Sequence, residues 1–255
     1  MKSEIIKQAF KLGNSAGILL PSDWKNKKVS VKLIERSIPQ EIFEILEESN
    51  LLKNTIGIFL AGSYAREEET ESSDIDVLVV TDIIDKQIKI GKYEIVFISR
   101  DKLKKSIMKN VYFASLINEA KAILNNSFLQ YYKNKIRGIL IKKPLDEIKS
   151  ITKINEKSVE IDKELEEKVS DETLYSIVLR LREAYLIECL KNNNNPSNKE
   201  FINLIKKIAS EEAYKAYLRI KNNSTPKKVI HVKEAIAIID EIKRRVRNLE
   251  HGKKK

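Results

Sequence analysis

Residues Gly57 to Val80 read GIFLAGSYAREEETESSDIDVLVV, which is the most specific pattern in the chain. The stretch begins with Gly57-Ile-Phe-Leu-Ala61, a short run without polar side chains that is typical of a strand buried on both faces. Gly62-Ser63 ends this run and leads directly into a charged, helical interval. A second apolar run from Ile75 to Val80 predicts a second buried strand.

Two chemical features lie on this strand–turn–strand pattern. A strand that ends in Gly62-Ser63 and continues into a helix leaves backbone N–H groups pointing outward, and such groups bind phosphate. Asp74 and Asp76 stand two residues apart, so their carboxylates share one face of the second strand. Because adjacent carboxylates repel each other, a cation is expected between them, and Mg²⁺ prefers carboxylate, water and phosphate oxygens. The pattern therefore predicts phosphoryl or nucleotidyl transfer with two metal ions.

Gly62-Ser-Tyr-Ala-Arg66, followed by Ser73-Asp-Ile-Asp76, resembles the G-S-x-A-R and S-D-x-D signature of the DNA polymerase β-type nucleotidyltransferase superfamily, most closely its minimal members. The resemblance runs from Ile56 to about Ser99. It implies two Mg²⁺ ions, with Mn²⁺ as an alternative, and an NTP substrate, of which ATP is the expected one. The implied metal ligands are Asp74 and Asp76, and the implied nucleotide-binding residues are Gly62, Ser63 and Arg66.

The roles of Glu94 and Arg66 are left open. The superfamily usually has a third carboxylate on a later strand, and Lys92 to Ile98 is the next strand-like run, with Glu94 as its acid. There Glu94 would bind metal and help to deprotonate the acceptor hydroxyl, or it would be an exposed edge residue. Alternation places Lys92, Glu94 and Val96 on one face of the strand and Tyr93, Ile95 and Phe97 on the other. Glu94 therefore faces the cleft only if the second set faces the core. Arg66 would touch phosphate, or it would pair with Asp74 or an acid among residues 67–71.

The N-terminal segment Lys11 to Pro21 is similar to the MazE/AbrB swapped-hairpin β domain, a family that dimerises and often binds DNA. Leu19-Leu20 stands where a basic residue is usual, and the helix usual after Pro21 is shortened to Ser22–Lys27. Lys28 to Ile34 alternates like a half-exposed strand. The resemblance implies a homodimer or a lid formed by this hairpin, with DNA binding and an ordinary β extension as alternatives.

Composition adds broader expectations. The net charge of +11 is compatible with a nucleic-acid partner, and its clear cluster is the basic C-terminus, Lys243–Arg247 and Lys253–Lys255. A solvated helix end is the alternative. The single cysteine, Cys189, lies at an apolar helical position, which fits a reducing compartment. With no membrane-length apolar run and no signal-peptide core, a cytoplasmic protein is expected.

From Asp101 onward the apolar spacing is helical; Ala114, Ile117, Ala120 and Ile123-Leu124, for example, predict one continuous helix. The predicted fold class is α+β, with a small N-terminal β hairpin unit (1–36), a mixed-sheet nucleotidyltransferase core (37–105) and a C-terminal α-helical bundle (106–255). The predicted function is Mg²⁺-dependent transfer of a nucleoside monophosphate from an NTP to a hydroxyl of a protein, RNA or small molecule, with pyrophosphate release. The alternative is a non-enzymatic, nucleotide-binding antitoxin-like or DNA-binding regulatory dimer, if Glu94 does not complete the metal site.

Overall fold

The structure is a computed structural model that describes residues 5–33, 36–71 and 73–251. Its contacts divide the chain into two units, Met1–Glu44 and Ile45–Lys255. The predicted boundary at 36/37 falls inside the first unit, and the one at 105/106 falls inside the second. The three-part division therefore stays a prediction.

The first unit contains a small antiparallel hairpin formed by β1 (Phe10–Leu12) and β2 (Ser15–Gly17). Gly13 occupies the tight turn with φ +59°, a left-handed conformation that glycine adopts without steric cost. A single 3₁₀ turn, Ser22–Trp24, follows the hairpin. The hairpin agrees with the β character expected here, but the resemblance to MazE/AbrB is not confirmed.

The predicted strand from Lys28 to Ile34 is not found in its described part. Residues 28–33 are not a strand, and Ile34 lies outside the described residues. Alternation alone cannot make a strand, because a strand needs a hydrogen-bonded neighbour. Val29, Val31 and Leu33, the alternating apolar residues, are 43%, 69% and 83% exposed.

The second unit is built on a five-stranded mixed sheet in the order β5-β6-β4-β3-β7. Its strands are β3 (Thr55–Leu60), β4 (Ile75–Thr81), β5 (Lys86–Ile90), β6 (Tyr93–Ser99) and β7 (Lys121–Leu124). Only β4 and β6 run parallel; the other neighbours are antiparallel. Both predicted apolar runs are thus central strands covered on both faces.

The described residues also form a series of helices. They are α1 (Ile38–Glu48), α2 (Gly62–Arg66), α3 (Arg100–Ser106), α4 (Val111–Glu119), α5 (Asn126–Ile136), α6 (Lys142–Glu164), α7 (Asp171–Lys191), α8 (Asn198–Ile208), α9 (Glu211–Lys221) and α10 (Val232–His251), with a short antiparallel pair β8 (Val169–Ser170) and β9 (Lys228–Ile230) between them. Serine N-caps start α7, α8 and α9. None of the helices within the described ranges has the length and hydropathy needed to cross a bilayer. The predicted α+β fold class is confirmed.

One prediction in this region is wrong. The apolar spacing from Ala114 to Leu124 predicts one helix, but α4 ends at Glu119 and the chain continues as β7. The reason is tertiary, because residues 121–124 pair with β3 at the edge of the sheet. A short apolar run does not distinguish helix from strand by itself.

The sheet and the helices of the second unit share one hydrophobic core. It runs from Phe59 and Leu78 on the central strands through Ile117 on α4 to α7 and α10. Helix α7 is its centre, packing against α4, α6, α9 and α10. This shared core fixes the helices against β4 and β6, and Asp74, Asp76 and Glu94 lie at the start of these strands.

The basic C-terminal cluster is largely neutralised in its described part. Lys243 pairs with Glu156, Arg244 with Glu241, and Arg245 with Glu188 and Glu241. Residues 253–255 of the cluster lie outside the described residues. Nucleic-acid binding at this end stays a prediction, and these ion pairs leave less positive charge for it.

Candidate active site

The parallel pairing of β4 with β6 brings the predicted carboxylates to one end of the sheet. Asp76 lies directly opposite Glu94 in the register, each as the second residue of its strand. Asp74 precedes β4 by one residue, and its Oδ2 accepts a hydrogen bond from Lys89 Nζ at 3.2 Å. The alternation predicted for β6 is confirmed, because Tyr93, Ile95 and Phe97 are buried while Val96 is exposed.

Like charges crowd around Asp76. Burial raises its pKa first, and the charges of Glu94 and Asp74 raise it further. Arg66 and Lys221 oppose the rise. A hard divalent cation bound by these carboxylates would replace their mutual repulsion with attraction.

Asp74, Asp76 and Glu94 are not arranged as a complete set of metal ligands. Over the described ranges, no three His, Cys, Asp or Glu side chains are grouped so that they could hold a metal ion. Glu94 Oε1 instead accepts a hydrogen bond from Gln87 Nε2. The assignment of Asp74, Asp76 and Glu94 as metal ligands therefore stays a prediction, supported by their chemistry and shared position.

Gly62 sits against Asp76. Its φ is +64°, and a Cβ at this position would lie 1.9 Å from Asp76 Oδ2. The preceding Ala61 N–H donates to the Asp76 carbonyl oxygen at 2.8 Å. Ser63 follows in α2 and is half-buried. The turn and the predicted metal ligand thus fit together only because residue 62 has no side chain.

This close approach makes Gly62 sensitive to a single methyl group. We expect Gly62→Ala to reduce transfer by about 10²-fold or more, since a shift of about 1 Å in a positioned group has an effect of that size. Gly91→Ala is the matched control, because Gly91 also has positive φ, 56°, but its Cβ would meet nothing within 4 Å. Steady-state transfer rates of both variants check the prediction, and equal rates would contradict it.

Arg66 lies between two carboxylates. Its Nη1 donates to Glu119 Oε2 at 2.7 Å and its Nε to Glu68 Oε2 at 3.0 Å, and the side chain is only 10% exposed. Burial would lower the pKa of Arg66, but Glu119 and Glu68 outweigh it and keep the guanidinium charged. The alternative in which Arg66 pairs with an acid of residues 67–71 is what the structure shows, and its contact with nucleotide stays a prediction.

Sequence reasoning missed two residues of this site. Glu119, the last residue of α4, accepts the Gly62 N–H at 3.1 Å through Oε1. A search for a partner for Arg66 could have suggested it, since it is an acid at the end of an apolar helix. Lys221, the last residue of α9, is an exposed cation whose charge partly opposes the rise in the pKa of Asp76. Nothing near Lys221 in the sequence indicates this proximity.

The site is thus a Gly-Ser turn between neighbouring strands, with an acidic pair at the start of the second strand. The nucleotidyltransferase domain family matches residues 40–211, most of the chain, across the predicted boundary at 105/106. The chain belongs to this family and is a transferase enzyme of that class.

Two solved structures are similar to the chain. One is a nucleotidyltransferase-like protein from Exiguobacterium sibiricum 255-15, 15% identical over 83% of this chain and 75% of that chain, with a TM-score of 0.37. The other is spectinomycin adenyltransferase AAD(9) from Enterococcus faecialis with ATP and spectinomycin, 14% identical over 82% of this chain and 97% of that chain, with a TM-score of 0.38. No curated protein matches the chain.

Proposed function

We propose that this nucleotidyltransferase moves a nucleoside monophosphate from a magnesium-bound NTP, with ATP as the expected donor, to a hydroxyl acceptor and releases pyrophosphate. The observation that carries the proposal is the placement of Asp76 opposite Glu94, beside the Gly62 turn. The family match supports nucleotidyl transfer in general. The metal, the base and the acceptor are the proposed parts.

In this proposal Asp74, Asp76 and Glu94 hold two Mg²⁺ ions, with Mn²⁺ as an alternative. Bound there, the ions would polarise the phosphoryl oxygens and neutralise the charge that develops on them. Glu94 would accept the proton of the acceptor hydroxyl, because it lies opposite Asp76 in the register of β4 and β6.

The nucleotide is held by the turn and by a cation from the helices. Gly62 and Ser63 would bind the triphosphate, as the family signature implies. Lys221 would pair with the phosphate oxygens, since its charge acts on Asp76 and a lysine binds phosphate as a point charge. The signature also implies Arg66 as a nucleotide-binding residue. To bind the nucleotide, Arg66 would have to reach it while remaining paired with Glu68 and Glu119.

A labelling experiment tests the function. Purified protein is incubated with Mg²⁺ or Mn²⁺, each of four α-labelled NTPs and a cell extract separated into protein, RNA and small molecules. We expect label in one fraction, matched by pyrophosphate release and abolished by a chelator. NTP binding without transfer or pyrophosphate release, in every fraction and with either metal, would instead favour the non-enzymatic, nucleotide-binding dimer.

Homodimerisation through the N-terminal unit is a separate proposal. It rests on the similarity of Lys11 to Pro21 to a swapped hairpin and on the exposed Val29, Val31 and Leu33. Exposed apolar side chains such as these favour a partner that buries them, and an isolated two-stranded hairpin is marginal in water. A second copy would supply that partner.

We expect the full chain to be dimeric by light scattering and Val31→Lys/Leu33→Lys to be monomeric, because two charges would enter the shared face. Ile83→Lys is the control, since Ile83 is 81% exposed on the second unit. A monomeric wild-type chain, or a double variant that stays dimeric, would contradict the proposal.

A further inference from the structure

A series of hydrogen-bonded side chains connects the Gly62 turn to the start of α8, and we call it the Glu119 relay. Gly62 N–H donates to Glu119 Oε1 at 3.1 Å, and Arg66 Nη1 donates to Glu119 Oε2 at 2.7 Å. Arg66 Nε then donates to Glu68 Oε2 at 3.0 Å. Glu68 in turn accepts from Ser197 Oγ and, at 3.0 Å, from Asn198 N–H. The relay joins the predicted phosphate turn to the helical region.

The centre of the relay is a buried ion pair. The side chains of Arg66 and Glu119 are 10% and 7% exposed. Burial raises the pKa of Glu119, while Arg66 and the Gly62 N–H oppose that rise. Desolvating two charges costs much of what their attraction contributes, so such a pair is weak as a source of stability. The ion pair instead fixes positions, because each Glu119 carboxylate oxygen accepts a hydrogen bond from a different partner.

The position of Gly62 matters because there is no free space beside it. A Cβ would lie 1.9 Å from Asp76 Oδ2, so the backbone and that carboxylate are in close contact. A displaced Gly62 would move the predicted triphosphate turn relative to the predicted metal ligand. Glu119 accepts the N–H of this same residue, which fixes the turn from the side of α4.

The other end of the relay is fixed by α8. The Glu68 carboxylate lies at the N-terminus of this helix, where acids are favoured by the helix dipole. Burial would raise the pKa of Glu68, but the bonds from Ser197, Asn198 and Arg66 outweigh it and lower the pKa. Glu68 therefore stays ionised and holds Arg66 in place, so that Arg66 can act on Glu119.

We propose that Glu119 is a positioning residue for nucleotidyl transfer, which holds the Gly62 turn in register with Asp76, and that Arg66 acts through Glu119 rather than on the nucleotide. The inference rests on the proposed function in one respect, that the turn binds the triphosphate. Glu119 suits this role because it is the last residue of α4 and β7 begins two residues later. Its backbone is therefore held by both the helix and the sheet.

The first test measures the turn directly. Within a peptide covering residues 60–66, exchange of the Gly62 N–H should be about 10-fold faster in Glu119→Ala, because this N–H loses its acceptor. Glu119→Gln should give a smaller increase, since its amide oxygen still accepts that N–H but lacks the charge that Arg66 requires. The Glu119→Gln variant also keeps the test valid if Glu119→Ala does not fold. Unchanged exchange in the folded variants would overturn the inference.

Asn118→Ala is the matched control. Asn118 also lies at the end of α4, and its Nδ2 donates to Asn194 O at 3.1 Å and Asn195 Oδ1 at 3.3 Å, near the start of α8. A general weakening of this junction would therefore affect both variants. Positioning predicts that exchange at residues 60–66 and the turnover of α-labelled ATP change in Glu119→Ala and stay at wild-type values in Asn118→Ala.

A double-mutant cycle separates positioning from direct binding. If Arg66 acts through Glu119, the double variant Arg66→Ala/Glu119→Ala should be no slower, within about threefold, than Glu119→Ala alone. If Arg66 bound the nucleotide itself, the two losses would multiply and the second half of the inference would be wrong. Hydrogen exchange does not depend on turnover. A wild-type protein without transfer would refute the proposed function, whereas the exchange measurement would still test whether Glu119 holds the Gly62 turn.

Discussion

Asp76→Asn should lower nucleotidyl transfer by more than about 10³-fold, because electrostatic stabilisation of the transferring phosphoryl group is usually the largest contribution to the rate. The substitution keeps the size of the side chain and removes one negative charge. Since burial, Glu94 and Asp74 all raise the pKa of Asp76, the ionised carboxylate is unfavourable in the folded protein without a cation. The variant should therefore melt at the wild-type temperature or slightly above it in the absence of divalent metal.

Asp82→Asn is the matched control for this prediction. Asp82 directly follows the opposite end of β4, and its side chain is 61% exposed beside Arg100. The two variants have the same net charge, so a general electrostatic effect would appear in both. Label transfer and thermal melting with and without Mg²⁺ distinguish them. Transfer at the wild-type rate by Asp76→Asn would show that Asp76 is not a required metal ligand.

Glu94→Gln is expected to separate nucleotide binding from turnover. Binding of the NTP depends on the Gly62 turn and the two aspartates, so its Kd should change by no more than about twofold. Transfer should fall by about 10²–10⁴-fold, the range typical of losing a general base. The amide keeps the shape of the side chain and its contact with Gln87 Nε2 through its oxygen.

Glu69→Gln serves as its control, because Glu69 is exposed on the loop between α2 and β4. Equilibrium binding of a non-hydrolysable ATP analogue and single-turnover transfer give the two quantities separately. If Glu94→Gln turned over at the wild-type rate, Glu94 would be neither the general base nor a required metal ligand, and the site would have two carboxylates.

The central part of the fold could be predicted because its signals are local. The apolar runs on either side of Gly62-Ser63 become β3 and β4, and the period-two pattern around Glu94 correctly separates the buried and exposed faces of β6. The shared edge of Asp76 and Glu94 then follows from parallel pairing, which the sequence does not show.

What could not be predicted depends on contacts between distant residues. Glu119 contacts the Gly62 turn from the end of α4, and the charge of Lys221 at the end of α9 acts on Asp76. Only packing determines where a helix ends relative to a strand. The apolar spacing predicts helix where β7 forms, because the partner strand, β3, is far away in sequence. Residues 28–33 show the converse, since their alternating pattern has no strand to pair with in the described chain.

The most direct test of the metal site is a crystal structure with Mn²⁺ and a non-hydrolysable ATP analogue, with the ions located by anomalous scattering. We expect an ion bound by Asp74 and Asp76, with a Glu94 carboxylate oxygen in direct or one-water reach and the triphosphate on the Gly62 turn. A structure with nucleotide bound but no ion at Asp74 and Asp76, or with Glu94 turned to bulk solvent, would contradict it.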